Sequence, residues 1–366
     1  MLLQNLSLTH YRNFLREKLL PGEKINVFWG DNGQGKTNLL EAIYLLSNLK
    51  SFRSVKNDVL IRHGDKQATI SAGIEKKGVS HQLSIGFGAT DKNYRVNGKN
   101  PQSVGEFLGF FKTVLFAPEE INLVKSFPAG RRALIDRAVF FTSPDYLQLA
   151  RDYQRLLKQR NRLLKEKQRA DGLMPWTEGL IKNGARLRRA RIQYLERINP
   201  LIQHTYATIC RGAEEIEIRY SGQDEEDQDA ILRQQFSDVG EREWRYQQTL
   251  AGPHRDDPQF LLNGASLKAF GSQGQQRSFI LAFKCAQVID LEQQTGETPV
   301  LLLDDLGSEL DPGRRQAFFE FIRQRDGQVF LTTADISLLE DAIDSSTREF
   351  SLEAGTIREN TKKRLV

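Results

Sequence analysis

The segment FWGDNGQGKTNLLEAIYLL, Phe28 to Leu46, constrains this chain more than any other. An apolar run (Ile25, Val27, Phe28, Trp29) leads into Gly30, Asp31, Asn32, Gly33, Gln34, Gly35, Lys36, Thr37 and Asn38, after which apolar residues recur at Leu39, Leu40, Ile43 and Leu46. These periods predict a strand, a loop and a helix, and Gly30, Gly35, Lys36 and Thr37 match the GxxxxGK(S/T) phosphate-binding pattern. Glycine accepts positive φ, so such a loop turns its N–H groups onto phosphate oxygens while the following helix directs its positive end at them. Gly30 to Asn38 are the expected ATP contacts, with Lys36 reaching the β- and γ-phosphates and the Thr37 hydroxyl reaching Mg²⁺.

A loop of this kind needs a carboxylate to hold Mg²⁺ through water, usually at the end of a buried parallel strand. PVLLLDDLGSELD supplies one, because Val300 to Leu303 is unbroken apolar sequence, as in a strand covered on both faces, and ends in Asp304 and Asp305. Asp304 is the expected Mg²⁺ ligand, and Asp305 the group that orients or deprotonates the attacking water. The bland alternative is a solvated acidic turn. Lys36 and Asp304 lie towards opposite ends of the 366 residues, so a large insertion must split the core.

Just before that strand, Gly271, Ser272 and Gly274 open a helix that continues through Phe279, Phe283, Ala286 and Ile289. Its N-terminus, with exposed amides, the Ser272 hydroxyl and the Gln275 amide, is a second phosphate site. The first loop already surrounds a triphosphate, so this second site is expected to face the nucleotide of another copy. Taken alone, Ser272 reads as a helix N-cap.

Composition excludes several classes. No apolar run reaches the roughly 18 residues that span a bilayer, and Met1 to Pro21 lacks the charged-then-apolar order of a signal peptide, so a soluble, cytoplasmic protein without a membrane partner is expected. Cys210 and Cys285 are the only cysteines; far apart in helix-like segments, they make neither a disulfide framework nor a zinc site and read as core thiols. The net charge of +5 permits a polyanionic partner without requiring one.

SxGQQ at Ser272 to Gln276, the pair Asp304 and Asp305, and SELD at Ser308 to Asp311 resemble the signature, Walker B and D-loop of ABC-type ATPases of the SMC branch. HYRNF (His10 to Phe14), SFRS (Ser51 to Ser54), LIRHG (Leu60 to Gly64), FAPEEINLVK (Phe116 to Lys125), RRALID (Arg131 to Asp136) and AGPHRDD (Ala251 to Asp257) resemble, more closely, the RecF family of bacterial recombinational-repair ATPases. The resemblance runs from Leu2 to about Gly355. It implies an α/β, P-loop ABC-type ATPase head with a split core and mixed sheets, an inserted, mostly helical second lobe, and no long coiled coil. It implies an ATP-dependent homodimer in which Ser272, Gly274, Gln275 and Asp311 act in trans on the partner's nucleotide, and it places Arg12 near the phosphates. Double-stranded or gapped DNA, RecR and RecO are the implied partners, with loading of the recombinase at single-strand gaps as the role. Three positions depart from the wider ABC pattern. Asp305 stands where transporters carry Glu, VFLTTAD offers Thr332, Thr333 and Asp335 in place of a switch histidine, and APEE offers Glu119 in place of the Q-loop glutamine. The first two are consistent with slow hydrolysis.

The remaining sequence supplies the partner surface. Gln67 to Val96 alternates as an antiparallel meander with a hairpin turn at Asn97 and Gly98. Pro144 to Gly212 reads as an antiparallel helical hairpin whose second helix starts at Pro175. Between Arg151 and Arg191 it carries thirteen Lys or Arg against four acids, so the chain's positive excess is concentrated there. Arg155, Lys158, Arg162, Arg186 and Arg189 are the expected contacts to a DNA backbone, which basic side chains neutralise without reading bases; a merely solvated helix face is the alternative. QDEEDQD (Gln223 to Asp229) reads as an exposed acidic loop, and TKKRLV as a frayed basic tail. His254 and Arg255 read as holding two lobes together, with contact to DNA or nucleotide as the alternative. The expected division is 1–115 and 251–366 for the ATPase lobe and 116–250 for the helical lobe. The function read from all this is a clamp that dimerises on ATP, holds DNA and reopens by slow, DNA-stimulated hydrolysis. A cytosolic ATPase subunit of an ABC transporter, or a scaffold that uses ATP only as dimer glue, are the rival readings.

Overall fold

In the computed structural model, residues 1–360 are described apart from 54, 89, 122, 144, 167–169, 211–212, 221, 224–225, 306–309 and 340–342; for 119, 121, 170, 171, 210 and 338 the backbone alone is described. The chain divides into two compact units: 1–121 with 208–210 and 287–366, and 122–207 with 211–286.

The first unit is built on strands that have no polar face. Strands β3 (Ile25–Trp29), β7 (Thr113–Phe116), β11 (Val300–Asp304) and β12 (Val329–Thr333) are buried almost from end to end. Such runs suit only the interior of a parallel sheet. They form one, in the order β14-β13-β3-β12-β11-β7, where β13 (Arg348–Glu353) continues the parallel set and β14 (Thr356–Glu359) closes the edge antiparallel. Phe28 stacks between Phe330 and Phe350, with ring centroids 6.2 and 5.0 Å away, tying three adjacent strands on one face. The alternating N-terminal sequence forms a second, antiparallel sheet, β2-β1-β4-β5-β6, from β1 (Leu2–Tyr11), β2 (Phe14–Leu19), β4 (Gln67–Lys76), β5 (Val79–Gly88) and β6 (Lys92–Val96). The buried Gln328 amide joins the two sheets. Its oxygen accepts from Leu3 N–H (2.7 Å) and its nitrogen donates to Leu3 C=O (3.0 Å). Helix α1 (Lys36–Asn48) follows β3 and is almost wholly buried, and the short α2 (Val104–Leu108) and α3 (Pro118–Ile121) precede and follow β7.

The second unit holds α4 (Pro128–Thr142), α5 (Tyr146–Lys165), α6 (Ala170–Cys210) as far as Ala207, α7 (Gln228–Tyr246), a small sheet β10-β9-β8 from β8 (Ile216–Arg219), β9 (Gln259–Leu262) and β10 (Ala265–Ser266), the short α8 (Leu267–Phe270), and the first part of α9 (Gln273–Thr295). Helices α5 and α6 run antiparallel as expected: Arg160 donates to Thr177 (2.9 Å), and Arg191 to Tyr146 (3.1 Å). Helix α6 starts at Ala170 rather than Pro175, so Pro175 lies inside it and leaves one N–H bond of the helix unmade.

Two expectations change. The division expected at 250/251 falls at 286/287, since β9 and β10 pair within the second unit, while that expected at 115/116 falls at 121/122. The basic hairpin is also less exposed than its composition suggests. Arg160, Arg188 and Arg191 are buried, pairing with Glu243 at 2.5 Å, Asp256 at 2.6 Å and Asp136 at 2.7 Å. Breaking such a pair from one side costs about 3–5 kcal/mol, so these three arginines hold the unit together. His254 also binds within this unit, its Nδ1 2.7 Å from Tyr153 Oη and its Nε2 3.2 Å from Thr249 C=O. Arg255 bonds to Gln248 and Thr249 of the same unit.

Candidate functional site

Helix α1 starts with Gly35 at its N-cap, so no side chain occupies the N–H groups of its first turn. The loop before it needs glycine for two different reasons. At Gly30 (φ 145°) a Cβ would lie 2.5 Å from Leu352 C=O, so the strand backbone leaves no room. At Gly33 (φ 84°) nothing lies within 4 Å, and only the left-handed backbone demands glycine there. Lys36 folds over the loop, donating to Gly30 C=O (2.6 Å) and Asp31 C=O (2.9 Å). Burial lowers its pKa, opposed by the nearby Asp305, Asp304 and Asp31 carboxylates.

The carboxylate end is set by strand register. β12 lies between β3 and β11, and Thr332 is paired with Asp304. Thr332 Oγ1 therefore donates to Asp304 Oδ1 at 2.7 Å, and Thr37 Oγ1, from the start of α1, donates to the same oxygen at 3.0 Å. Asp305 sits in the left-handed region (φ 47°), a strained conformation for a non-glycine residue. Its N–H is held by Thr332 Oγ1 (3.1 Å) and Thr332 C=O (3.2 Å). These groups and the loop line one cleft of about 540 Å³ with Arg12, Asn13, Asn38, Arg53 and Val59. A hydroxyl and a carboxylate oxygen are the hard donors that Mg²⁺ takes. Among the described residues no cluster of three or more His, Cys, Asp or Glu forms a self-contained metal site. The donor set thus suits a cation that completes its shell with water and phosphate oxygens.

Arg12, which the resemblance places near the phosphates, lines this cleft, while its neighbours Asn13, Glu41 and Arg53 escaped the sequence reading. Arg12, in a left-handed turn (φ 54°), lies along the buried Glu41 carboxylate, with Nε to Oε2 and Nη2 to Oε1 both 2.8 Å. Asn13 bridges the loop, donating to Gln34 C=O (2.9 Å) and accepting from Asn38 (2.8 Å), while Arg53 donates to Asn38 Oδ1 (3.1 Å). Asn13 and Arg53 lay within the quoted HYRNF and SFRS segments; Glu41 carried no signal beyond being an acid in an otherwise apolar helix.

In the second unit Ser272 and Gln275 cap α9 reciprocally: Ser272 Oγ accepts from Gln275 N–H (3.2 Å), and Gln275 Oε1 from Ser272 N–H (2.9 Å). This is a capping box, and Ser272 keeps its own O–H to donate. Gly274 C=O accepts from Ser278 (2.9 Å). In the first unit Asp311 caps helix α10 (Pro312–Arg323), accepting from Arg314 N–H (3.1 Å). Ser308 and Glu309 of the D-loop, Ser54, part of the acidic loop, the tail from 361, and the side chains of Glu119 and Cys210 lie outside the described residues. Cys285 is buried. Thr333 Oγ1, at the expected switch position, donates to Asp335 C=O (2.8 Å). Of the predicted backbone contacts, Arg155, Lys158, Arg162 and Arg186 are exposed, whereas Arg189 is half-buried against Asp229 at 2.5 Å. Arg151, Arg155, Lys158 and Arg162, spaced by four, three and four, share one face of α5. No helix among the described residues is long and apolar enough to cross a membrane.

Comparison with known proteins shows the family and the fold. The family model described as RecF/RecN/SMC N terminal domain matches residues 2–358. DNA replication and repair protein RecF of Syntrophotalea carbinolica is 47% identical over 359 residues, covering 98% of this chain and 99% of that protein. RecF of Geotalea uraniireducens is 39% identical over 363 residues, covering 98% and 100%. A solved structure of the recombination mediator protein RecF with ATP, in the RecFOR pathway, superposes with a TM-score of 0.89 at 31% identity, covering 98% and 99%. A crystal structure of an Smc head bound to the C-winged helix domain of ScpA, at 14% identity and TM-score 0.59, covering 98% and 97%, shares the fold.

Proposed function

The chain belongs to the RecF family of DNA replication and repair proteins, and on that premise we propose that it is an ATP-operated clamp that dimerises on nucleotide, holds duplex DNA beside gaps and reopens on hydrolysis. The observation that carries the reading is the arrangement around Asp304. Thr37 and Thr332 converge on one of its oxygens, while the neighbouring Asp305 is held in a strained turn on the same cleft.

In this reading the amides of Gly33 to Thr37 and the Lys36 ammonium bind the β- and γ-phosphates. Thr37 and Asp304 hold Mg²⁺, which when bound offsets charge on the phosphate oxygens. Asp305 orients the attacking water and accepts its proton. Ser272, with a hydroxyl hydrogen still to donate, Gly274, Gln275 and Asp311 serve a second copy's nucleotide. The stripe Arg151, Arg155, Lys158 and Arg162 contacts DNA phosphates, binding without base sequence because it neutralises backbone charge. Arg186 joins it; Arg189, paired to Asp229, contributes less. The RecFOR context of the solved relative supports RecO and RecR as partners and recombinase loading as the purpose.

Sedimentation velocity with ATP, ADP or neither, with and without gapped duplex, tests the mechanism. The expected result is a dimer with ATP that DNA strengthens and Lys36→Met abolishes. If Lys36→Met left both dimerisation and DNA affinity unchanged, the clamp would be wrong. Single-turnover hydrolysis that DNA fails to stimulate would favour a scaffold glued by ATP.

A further inference from the structure

The buried Glu41 carboxylate lies one helical turn beyond Thr37, outside every motif named above, and its surroundings are unusually complete. Oε1 accepts from Arg12 Nη2 and from Ser51 Oγ; Oε2 accepts from Arg12 Nε and from Tyr11 Oη at 2.9 Å. Four donors fill the roughly four lone-pair sites of an ionised carboxylate. Burial works to raise its pKa, but Arg12, Ser51 and Tyr11 outweigh burial and hold it below the ordinary value, so it is charged.

The donors come from two segments that border the cleft. Tyr11 and Arg12 form the turn between β1 and β2. Residues 59–62 are laced to that turn, with Arg12 N–H to Leu60 C=O at 3.0 Å, Arg62 N–H to His10 C=O at 2.8 Å, and Arg12 Nη1 to Val59 C=O at 3.2 Å. Ser51 begins the segment that carries Arg53. Glu41 itself is on α1, the helix whose N-terminus is the phosphate loop. Of the five N–H donors of a guanidinium, Glu41 takes two and Val59 one, which leaves two on a side chain that lines the cleft.

We propose that Glu41 is a positioning residue of the nucleotide site: it clamps Arg12 so that the two remaining N–H groups face bound phosphate, and it fixes residues 51–53 and 59–62 to the helix that follows the phosphate loop. The proposal rests on the cleft being the ATP site. A fork-shaped cation on a long side chain loses much of its value when free to rotate, and a bidentate carboxylate in a dry setting removes that freedom.

Titration calorimetry of the full chain with ATP and Mg²⁺, on a double-mutant cycle, tests it. Loss of two charge-assisted bonds predicts that Glu41→Gln weakens ATP about tenfold or more. Arg12→Ala does likewise, and the double variant is no weaker than the weaker single one, because both changes remove one device. Thermal stability, measured alongside, should fall most in Arg12→Ala, which leaves the buried Glu41 carboxylate short of donors, and recover in part in the double variant, so that affinity and stability part company. Unchanged affinity in Glu41→Gln, or losses that multiply in the double variant, would overturn the proposal. Should Glu41→Gln not fold, Arg12→Lys, which keeps the charge but not the fork, is expected to match Arg12→Ala in lost affinity; full affinity in Arg12→Lys would overturn it. Lys36→Ala separates the two levels. If it leaves ATP binding intact, the site reading falls and takes this proposal with it; if it abolishes binding while Glu41→Gln does not weaken it, only the positioning role falls.

Discussion

Thr332→Val replaces one buried hydroxyl with a methyl group of nearly the same shape, at the point where the carboxylate end of the cleft is held together. Thr332 is fully buried; its Oγ1 donates to Asp304 Oδ1 at 2.7 Å and accepts from Asp305 N–H at 3.1 Å. A hydrogen bond to a charged group contributes about 1.5–3 kcal/mol, and Asp304 keeps Thr37 on that oxygen once it is lost. The Asp305 amide retains the Thr332 carbonyl at 3.2 Å, so its share is smaller. A total of about 2–3 kcal/mol corresponds to a fall of about 5–10 °C in the midpoint of a unit this size. The functional loss is separate. Asp305 is held at φ 47° partly by that hydroxyl, and relaxation of such strain moves the carboxylate. Single-turnover hydrolysis should therefore slow about tenfold or more, each 1.4 kcal/mol at the transition state being one decade. ATP affinity should change little, because the amides of the loop and Lys36 are untouched. Thr332→Ser keeps the hydroxyl and should recover most of the rate. A Val variant that melts with the wild type and hydrolyses at its rate would show that Thr332 neither holds Asp304 nor places Asp305.

His254 gives a pH dependence. Burial, with Arg255 and Arg132 nearby, pushes its pKa down to about 4 from 6.5 against the opposing Thr249 carbonyl and Asp256, so the folded state resists a proton that the unfolded chain accepts. Stability is present above pH 6.5 and falls as pH drops from 6.5 towards 4; denaturant titrations at pH 7.5 and 5 should lose about 1–2 kcal/mol more for the wild type than for His254→Gln. Gly30→Ala should unfold the first unit more readily than Gly33→Ala, since its methyl meets Leu352 C=O at 2.5 Å whereas Gly33→Ala carries only backbone strain of about 1–2 kcal/mol; Gly33→Ala should melt about 2–8 °C below the wild type yet lose ATP binding. Duplex affinity measured against salt should lose about 0.9 from its log–log slope for each of Arg155→Gln and Lys158→Gln. Arg188→Gln should instead lower stability by about 3–5 kcal/mol through its buried pair with Asp256.

The contrast between Lys158 and Arg188 shows where sequence reading stops. Periodicity reports what a backbone repeats, so β3 was legible as a strand and β11 as one covered on both faces, and the phosphate loop and carboxylate pair could be placed at their ends from sequence alone. Register then does the rest locally: once β12 lies between β3 and β11, Thr332 must stand beside Asp304. Charge carries no such repeat. Arg160, Arg188 and Arg191 look in sequence like Arg155 and Lys158, but each is matched by an acid far away in the chain: Glu243, Asp256 and Asp136. A buried cation can be told from a solvated one only by finding that acid, because desolvation is tolerable where the partner is already in place and nowhere else. Glu41 was missed for the same reason, its meaning lying in Arg12 and Tyr11 on another element. The residues that sequence motifs mark are therefore those whose place follows from backbone geometry, while those that hold the cleft-lining side chains in place are pairs, and pairs are visible only in the fold.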